Sequence, residues 1–354
     1  SDSGRFLVCK APGEGSLGAL PYSHYGVLIM NVSKRAKKKV NSVHGSKKAK
    51  PKIVIKISNP QIEKIGVHEF SSGHKVSIFD VYDYRALTQL IGYAKFLNAN
   101  YGNVYYRGEV HLHQSMLPSI ARQKSQGAQD KVANALNKVI DAAIHDTDFS
   151  KFAGLKNLKN ERNQKMIMEA LLQHYGYSTH FIDVVDNHWI ALWFGLNKIQ
   201  EIKNRSSYYL YTRRTVNPID VCSSENDTDI YQYMLLIAAD NKIAPIERGI
   251  YVGQNTITID LRSSLPSIFL RPHAQHGLVI QRNRHETQEA FDIDRNVVAI
   301  IRLRIDRVAS WIGEGKLLTN SNLFPAPAYD YGYEILLEQN NLFKNDYHEI
   351  TQYI

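Results

Sequence analysis

The chain reads as an α+β fold: a helical N-terminal half of the core packed on a mostly antiparallel sheet, preceded by a strand hairpin that carries a basic loop. Three observations predict it. Apolar residues recur at helical spacing mainly between 80 and 200. Beyond Phe194 the apolar runs become short, β-branched and aromatic, and turn residues bound them. The two patterns are segregated along the chain, whereas a protein of alternating βαβ units would interleave them.

Residues 1–24 are irregular. Val27 to Val32 and Ile53 to Ile57 are runs of strand type and pair as a hairpin around a lysine-rich connection. Asp80 or Asp83 caps a helix that runs to about Asn98, with Tyr84, Leu87, Leu90, Ile91, Ala94 and Leu97 on its buried face. Val104-Tyr105-Tyr106 is a strand that ends in Arg107-Gly108. Residues 130–145 form an amphipathic helix with Val132, Leu136, Val139, Ile140 and Ala143 on one side, and 146–164 read as a charged loop. Met166, Ala170 and Leu171 mark a helix that Tyr175-Gly176 ends, and Trp189 to Phe194 pack as the next one. Strands follow at Tyr208 to Thr212, Tyr231 to Ala238, Ile250 to Val252, Thr256 to Ile259, Gly277 to Gln281 and Val297 to Ile305. Two parts result: an N-terminal extension, 1–76, and an α+β domain, 77–354.

Length and composition describe an ordinary globular protein: 354 residues, 44% hydrophobic and 22% charged. No run of about 18 apolar residues suggests a membrane span, and the start lacks a secretory core. Cys9 and Cys222 alone make neither a disulfide framework nor a zinc site, so a cytoplasmic location is the simplest expectation. The net charge of +9 is local. Lys34, Arg35, Lys37, Lys38, Lys39, Lys47, Lys48, Lys50 and Lys52 occur with no acid among them; removing these nine from the 43 basic residues leaves 34, equal to the acids. The chain is a neutral globule with one basic loop. Clustered lysines gain from phosphate contacts through counterion release, which points to nucleic acid or another polyanion as a partner. Aromatic residues are absent from the run, so base stacking there is not expected. The plain alternative is a solvated loop.

The chain has no phosphate loop, dinucleotide glycine motif, HExxH or nucleophile elbow. His111, His113, His174 and His180 lack nearby Cys and have few carboxylates, so no metal is expected. Arg107, at the end of an aromatic strand, suits bidentate contact with a phosphate, and Gly108 admits close approach of a ligand to the backbone. The alternative for Arg107 is a structural ion pair with Asp183 or Glu109. Asp183 near His174 and His180 suits a general base, or a carboxylate that orients an imidazole. Thr179 offers a hydroxyl for a cap or a ribose contact. Gln275 lies at a strand entrance where its amide can read a ribose hydroxyl or a base edge, or merely feed a core strand.

Taken together these pieces resemble the FRG domain family, named for an aromatic-Arg-Gly triplet and matched here by Tyr106-Arg107-Gly108. Leu117-Pro118-Ser119 with Arg122, then Gln173-His174-Tyr175-Gly176 with Thr179 and Asp183, then Ala191-Leu192-Trp193-Phe194 follow in the family's order. Arg271-Pro272 with Gln275 and Gly277, and finally Leu323-Phe324-Pro325, complete it, so the resemblance extends over about 77–340. His180 stands where the family usually has Arg, and Val184-Val185 where it has an aromatic-Thr pair. The family is similar in layout to ADP-ribosyltransferases and occurs in bacterial antiviral and toxin settings. That likeness implies NAD as substrate, without a metal. It places Arg107 on a phosphate, Thr179 beside the nicotinamide ribose and Gln275 on a ribose hydroxyl, with His174, Asp183, Tyr106, Gly108 and Tyr175 around them. Two alternatives stay open: a non-catalytic module that senses a nucleotide and binds nucleic acid, and a nucleotide or phosphoester hydrolase built on His174 and Asp183.

Overall fold

The computed structural model describes residues 50–203, 207–216, 230–242, 244–283 and 291–353. The predicted strand Val27 to Val32 and the site candidates Lys34, Arg35, Lys37, Lys38, Lys39, Lys47 and Lys48 lie outside the described residues. Ile53 to Ile57, the other predicted strand of that hairpin, is not a strand. Val54 alone is fully buried there, and its N–H donates to Val298 O at 2.8 Å. Asn98 anchors the same segment: its amide exchanges bonds of 2.7 and 3.0 Å with the backbone of Lys52.

The strands are β1 (Ile62–Glu69), β2 (Lys75–Val81), β3 (Asn103–Glu109), β4 (Ile182–Val185), β5 (Asn197–Lys203), β6 (Ser207–Arg213), β7 (Tyr231–Ala239), β8 (Ile250–Val252), β9 (Thr256–Asp260), β10 (Gly277–Arg282), β11 (Val297–Arg304) and β12 (Gln352–Tyr353). Nine of them form one sheet in the order β1-β2-β11-β7-β3-β4-β10-β9-β8. Only the β2–β11 neighbours run parallel; the other pairs are antiparallel. A small second sheet is ordered β12-β6-β5. The α+β expectation therefore holds. The first five α-helices are α1 (Tyr84–Asn98), α2 (Gln126–His145), α3 (Thr147–Phe152), α4 (Glu161–His174) and α5 (His188–Leu196).

Helix starts follow local chemistry. Asp83 caps α1 by accepting from Arg85 N at 2.7 Å, and Ser125, Asp146 and Asn160 cap α2, α3 and α4. The last two caps correct the expectation of a loop over 146–164: Phe149 and Leu155 are buried while Lys151 between them faces outward. On α1, Leu87 and Leu90 are fully buried as expected, whereas Tyr84 is 42% exposed. Burying each leucine contributes about 1.5–3 kcal/mol.

Alternation along the strands divides the core. Tyr106 packs with α1 and α5, while its neighbour Tyr105 packs on the opposite face with Leu235, Ile237 and Ile280. Val279 joins a further cluster with α2, α3 and α4. Tyr106 is in register with Val185, and Val279 with Asp183, so the two helical clusters cover one face of the sheet. The seam between them is where polar side chains collect. Strands β2 and β11 are joined by a two-point ion pair in which Arg302 Nε and Nη2 each donate to the Asp80 carboxylate at 2.8 Å.

Candidate functional site

Strands β3 and β4 are sheet neighbours that meet in register at a single pair, Tyr106 and Val185. Beyond that pair they part, and a cavity of about 420 Å³ opens between them. Its lining includes Tyr106, Arg107, Gly108 and Glu109 from β3, Asp183 to Val185 from β4, Gln173 and His174 from the end of α4, and Gln275. A volume of this order falls in the roughly 300–1,000 Å³ range of small-molecule sites.

Arg107 bridges the split. Its Nε donates to Glu109 Oε1 at 2.5 Å and its Nη1 to the backbone oxygen of Asp183 at 2.8 Å. Its Nη2 has no hydrogen-bond partner among the described residues. Burial works against the charge on this guanidinium, but the Glu109 and Asp183 carboxylates outweigh it and hold Arg107 more firmly protonated than usual. The ion pair and the cavity position coexist, because Nε and Nη1 of the planar fork are occupied and Nη2 is not.

His174 is the last residue of α4, and its side chain is buried. Its Nε2 lies 3.6 Å from Asp183 Oδ1, beyond hydrogen-bond length, and neither atom has a hydrogen-bond partner among the described residues. Burial pushes the imidazole below its ordinary value of 6.5; Asp183 opposes this, the Arg271 charge adds to it and a hydrogen bond with Gln275 opposes it. The ring is therefore neutral at pH 7. It fits because position 277 is glycine: a Cβ there would lie 2.3 Å from His174 Cε1.

Asp183 is held in turn. Its Oδ2 accepts from Gln173 Nε2 at 2.7 Å, and Gln173 Oε1 accepts from the Thr179 hydroxyl. Thr179 N donates to Ser119 Oγ at 2.9 Å. A relay of hydrogen bonds thus runs from the Leu117-Pro118-Ser119 segment to the carboxylate facing His174.

The remaining candidates fall elsewhere. Thr179 is fully buried and does not line the cavity, so the direct ribose contact expected of it is replaced by support of Gln173. Tyr175 is also outside the lining; its hydroxyl donates to Asp330 Oδ2 at 2.8 Å. Gln275 does line the cavity, but its Nε2 is committed to Leu323 O at 2.8 Å. Gly108 lines the cavity and also meets a packing demand. A Cβ there would lie 1.8 Å from Ala191 O and 2.7 Å from Gly195 N, so the glycine admits α5 against β3. His180 is paired with Glu169 at 2.8 Å and stacks on Phe291. Among the described residues no three His, Cys, Asp or Glu side chains are grouped to hold a metal ion.

Several lining residues are not among the site candidates read from the sequence. Tyr211, Phe324 and Tyr353 form one stack, with Tyr211–Phe324 centroids 4.8 Å apart and Phe324–Tyr353 centroids 4.4 Å apart. They come from β6, from the loop after Leu323 and from β12, so no local spacing links them. Beneath them Arg271 is fully buried. Its Nη1 donates to His174 O at 3.0 Å, and its guanidinium lies 4.4, 4.5 and 4.8 Å from the rings of Tyr175, Tyr333 and Tyr353. Burial pushes the Tyr353 hydroxyl up to about 12 despite the opposing Arg271 charge. At the rim, Lys198 joins Arg107 against Glu109 and Asp183, so the formal charges lining the cavity balance.

Residues 102–204 match the model of the FRG domain. The chain carries an FRG domain. No curated protein and no solved structure matches the chain. The matched stretch runs from the start of β3 to the end of β5 and contains Arg107, Gln173, His174, Thr179 and Asp183. It is narrower than the resemblance read from the motifs. Gln275, Phe324 and Tyr353 lie beyond it and complete the cavity from the C-terminal side. Among the described residues no helix is long and apolar enough to cross a membrane.

Proposed function

We propose that this FRG domain cleaves the nicotinamide–ribose bond of NAD and transfers ADP-ribose to a macromolecular acceptor, as a toxin or antiviral effector. The observation that carries the reading is the meeting of Arg107, the His174–Asp183 pair and an aromatic stack in one cavity. Arg107 offers Nη2 to a phosphate oxygen. The stack of Tyr211, Phe324 and Tyr353 suits a planar base. The Asp183 carboxylate is held ready by Gln173 to stabilise positive charge developing at the ribose C1′, and such fixed electrostatic support is the main demand of glycosidic cleavage.

The step balances as follows. The C1′–N bond breaks and its electron pair leaves with nicotinamide, which departs neutral. An acceptor hydroxyl or amine attacks C1′, and its proton passes to the neutral His174 Nε2. Burial keeps the imidazole neutral, and Nε2 accepts in the tautomer that carries its hydrogen on Nδ1. The ribose-hydroxyl contact that the family likeness assigned to Gln275 is not used in this step, because the Gln275 amide nitrogen is bound to Leu323 O. The acceptor proposed is nucleic acid or a protein bound to it, and the support for that choice is the lysine-rich segment between Ser33 and Lys52.

One observation favours a second reading, a nucleotide sensor without turnover: two of the three guanidinium nitrogens of Arg107 and the amide nitrogen of Gln275 are already engaged with protein. The test is incubation of the purified chain with labelled NAD, alone and with RNA, DNA or lysate. Nicotinamide release with label on a macromolecule, lost in Arg107→Ala and in Asp183→Asn, supports transfer. NAD recovered intact in every mixture refutes it; a rise in melting temperature with NAD under those conditions selects the sensor. Phosphate release from nucleotides with NAD untouched selects the hydrolase.

A further inference from the structure

A second cavity of about 600 Å³ lies against the first. The two share Asn197, Tyr211, Phe324 and Tyr353, so the aromatic stack is a party wall between them. The chemistry on the two sides differs. The first cavity holds the titratable groups Arg107, Glu109, His174 and Asp183. Among the described residues the second has no carboxylate or imidazole in its lining. Its floor is apolar, with Trp193, Leu196, Leu210, Ile312 and Leu318, and its rim carries Arg213, Thr319, Asn320 and Ser321. Asn320 Nδ2 donates to Tyr211 O at 2.8 Å, which ties that rim to the shared wall.

We infer that the second cavity is a binding subsite for a nucleoside. Its planar base lies against the shared aromatic stack, and its sugar hydroxyls meet Thr319, Asn320 and Ser321. Stacking is the natural use of a flat aromatic wall and tolerates any base. Hydroxyl and amide side chains supply both donors and acceptors for a sugar. Aromatic, hydroxyl and amide side chains make this a place for holding, while the titratable groups suited to bond cleavage line the first cavity. The inference rests on the proposed nucleotide chemistry of the first cavity and adds the size class of the ligand: one with two ring systems, or two ligands side by side.

The test uses the full chain and calorimetric titration with three probes: nicotinamide mononucleotide, adenosine, and a carbocyclic NAD analogue that cannot be cleaved. Ala326→Trp and Arg213→Trp place an indole in the second cavity from its exposed rim, and neither position lines the first. The expected result is that the analogue binds at least about tenfold more tightly than nicotinamide mononucleotide, one order of magnitude in equilibrium constant. Both tryptophan variants should erase that gain and leave the mononucleotide affinity unchanged. If the analogue shows no gain, but adenosine binds beside the mononucleotide and is expelled by the same variants, the subsite stands and takes its nucleoside from a second molecule. If the variants change no affinity while Arg107→Ala abolishes mononucleotide binding, the second subsite is refuted and the first site survives. If no probe binds the wild-type chain, both fall together.

Discussion

The glycine of the aromatic-Arg-Gly triplet offers a direct test of why that triplet exists. In Gly108→Ala the new methyl would sit 1.8 Å from Ala191 O and 2.7 Å from Gly195 N, where real contacts essentially never fall below 3.0 Å. Both neighbours are backbone atoms of α5, so no side chain can swing aside. The helix must retreat by more than about 1 Å, and Ile190, Ala191 and Leu192 must withdraw with it from a tightly packed cluster. Forcing extra methyl groups into packed interiors costs roughly 1–3 kcal/mol, and a clash against rigid backbone belongs at or above the top of that range. We expect Gly108→Ala to be destabilised by about 3 kcal/mol or more, or to fail to accumulate as folded protein. Urea denaturation followed by circular dichroism measures it. Gly92→Ala is the internal control. That position lies inside α1 with open space where the methyl would go, and the change should stabilise the chain by about 0.5–1 kcal/mol. A Gly108→Ala protein with wild-type stability would refute the packing argument. Unchanged stability with lost nucleotide binding would leave only the ligand-approach role first expected of this glycine.

Three further outcomes follow from the structure. Asp80→Ala leaves Arg302, only 18% exposed, without its two-point partner; loss of about 3–5 kcal/mol is expected in the same denaturation assay, with Asp80→Leu/Arg302→Leu recovering much of it. Because burial holds the folded His174 below its ordinary 6.5, the unfolded chain takes up the proton more readily. Its stabilising contribution is thus complete above about pH 6.5 and declines as pH falls toward the folded value; His174→Asn should flatten the fall in stability between pH 7 and 5, a slope bounded by about 1.4 kcal/mol per pH unit for one proton. Asp83→Ala removes the acceptor for Arg85 N and should cost about 1 kcal/mol, with no change in nucleotide affinity, since the cap is not part of the cavity lining.

The elements that the sequence announces are those whose signal is local. Leu87, Leu90, Ile91 and Ala94 repeat at the spacing of one helix face, and Asp83 supplies its own cap, so α1 is legible from fifteen residues. The strands β7 and β11 are continuous apolar runs and are equally plain. Strand β1 escaped notice because it lies at the sheet edge, mostly exposed, and its residues do not need to be apolar. The short helices α3 and the first turn of α4 were hidden by surface charge, although their caps, Asp146 and Asn160, stood in the open.

For the site, the sequence by itself singled out Arg107, His174 and Asp183, because an arginine closing an aromatic strand and an imidazole nine residues from a carboxylate are unusual over short distances. What each residue does was decided only by tertiary packing. Gly108 faces α5, Thr179 supports Gln173, and Gln275 is bound to Leu323 O. The wall of Tyr211, Phe324 and Tyr353 joins residues more than a hundred positions apart, and the Arg271 cage draws on Tyr175, Tyr333 and Tyr353. The physical reason is the range of the interactions. Helix and strand propensities act between neighbours and leave a period in the chain. Ring stacking, buried charge and a cavity between parting strands arise only where distant segments meet, and no local spacing records which ones those are.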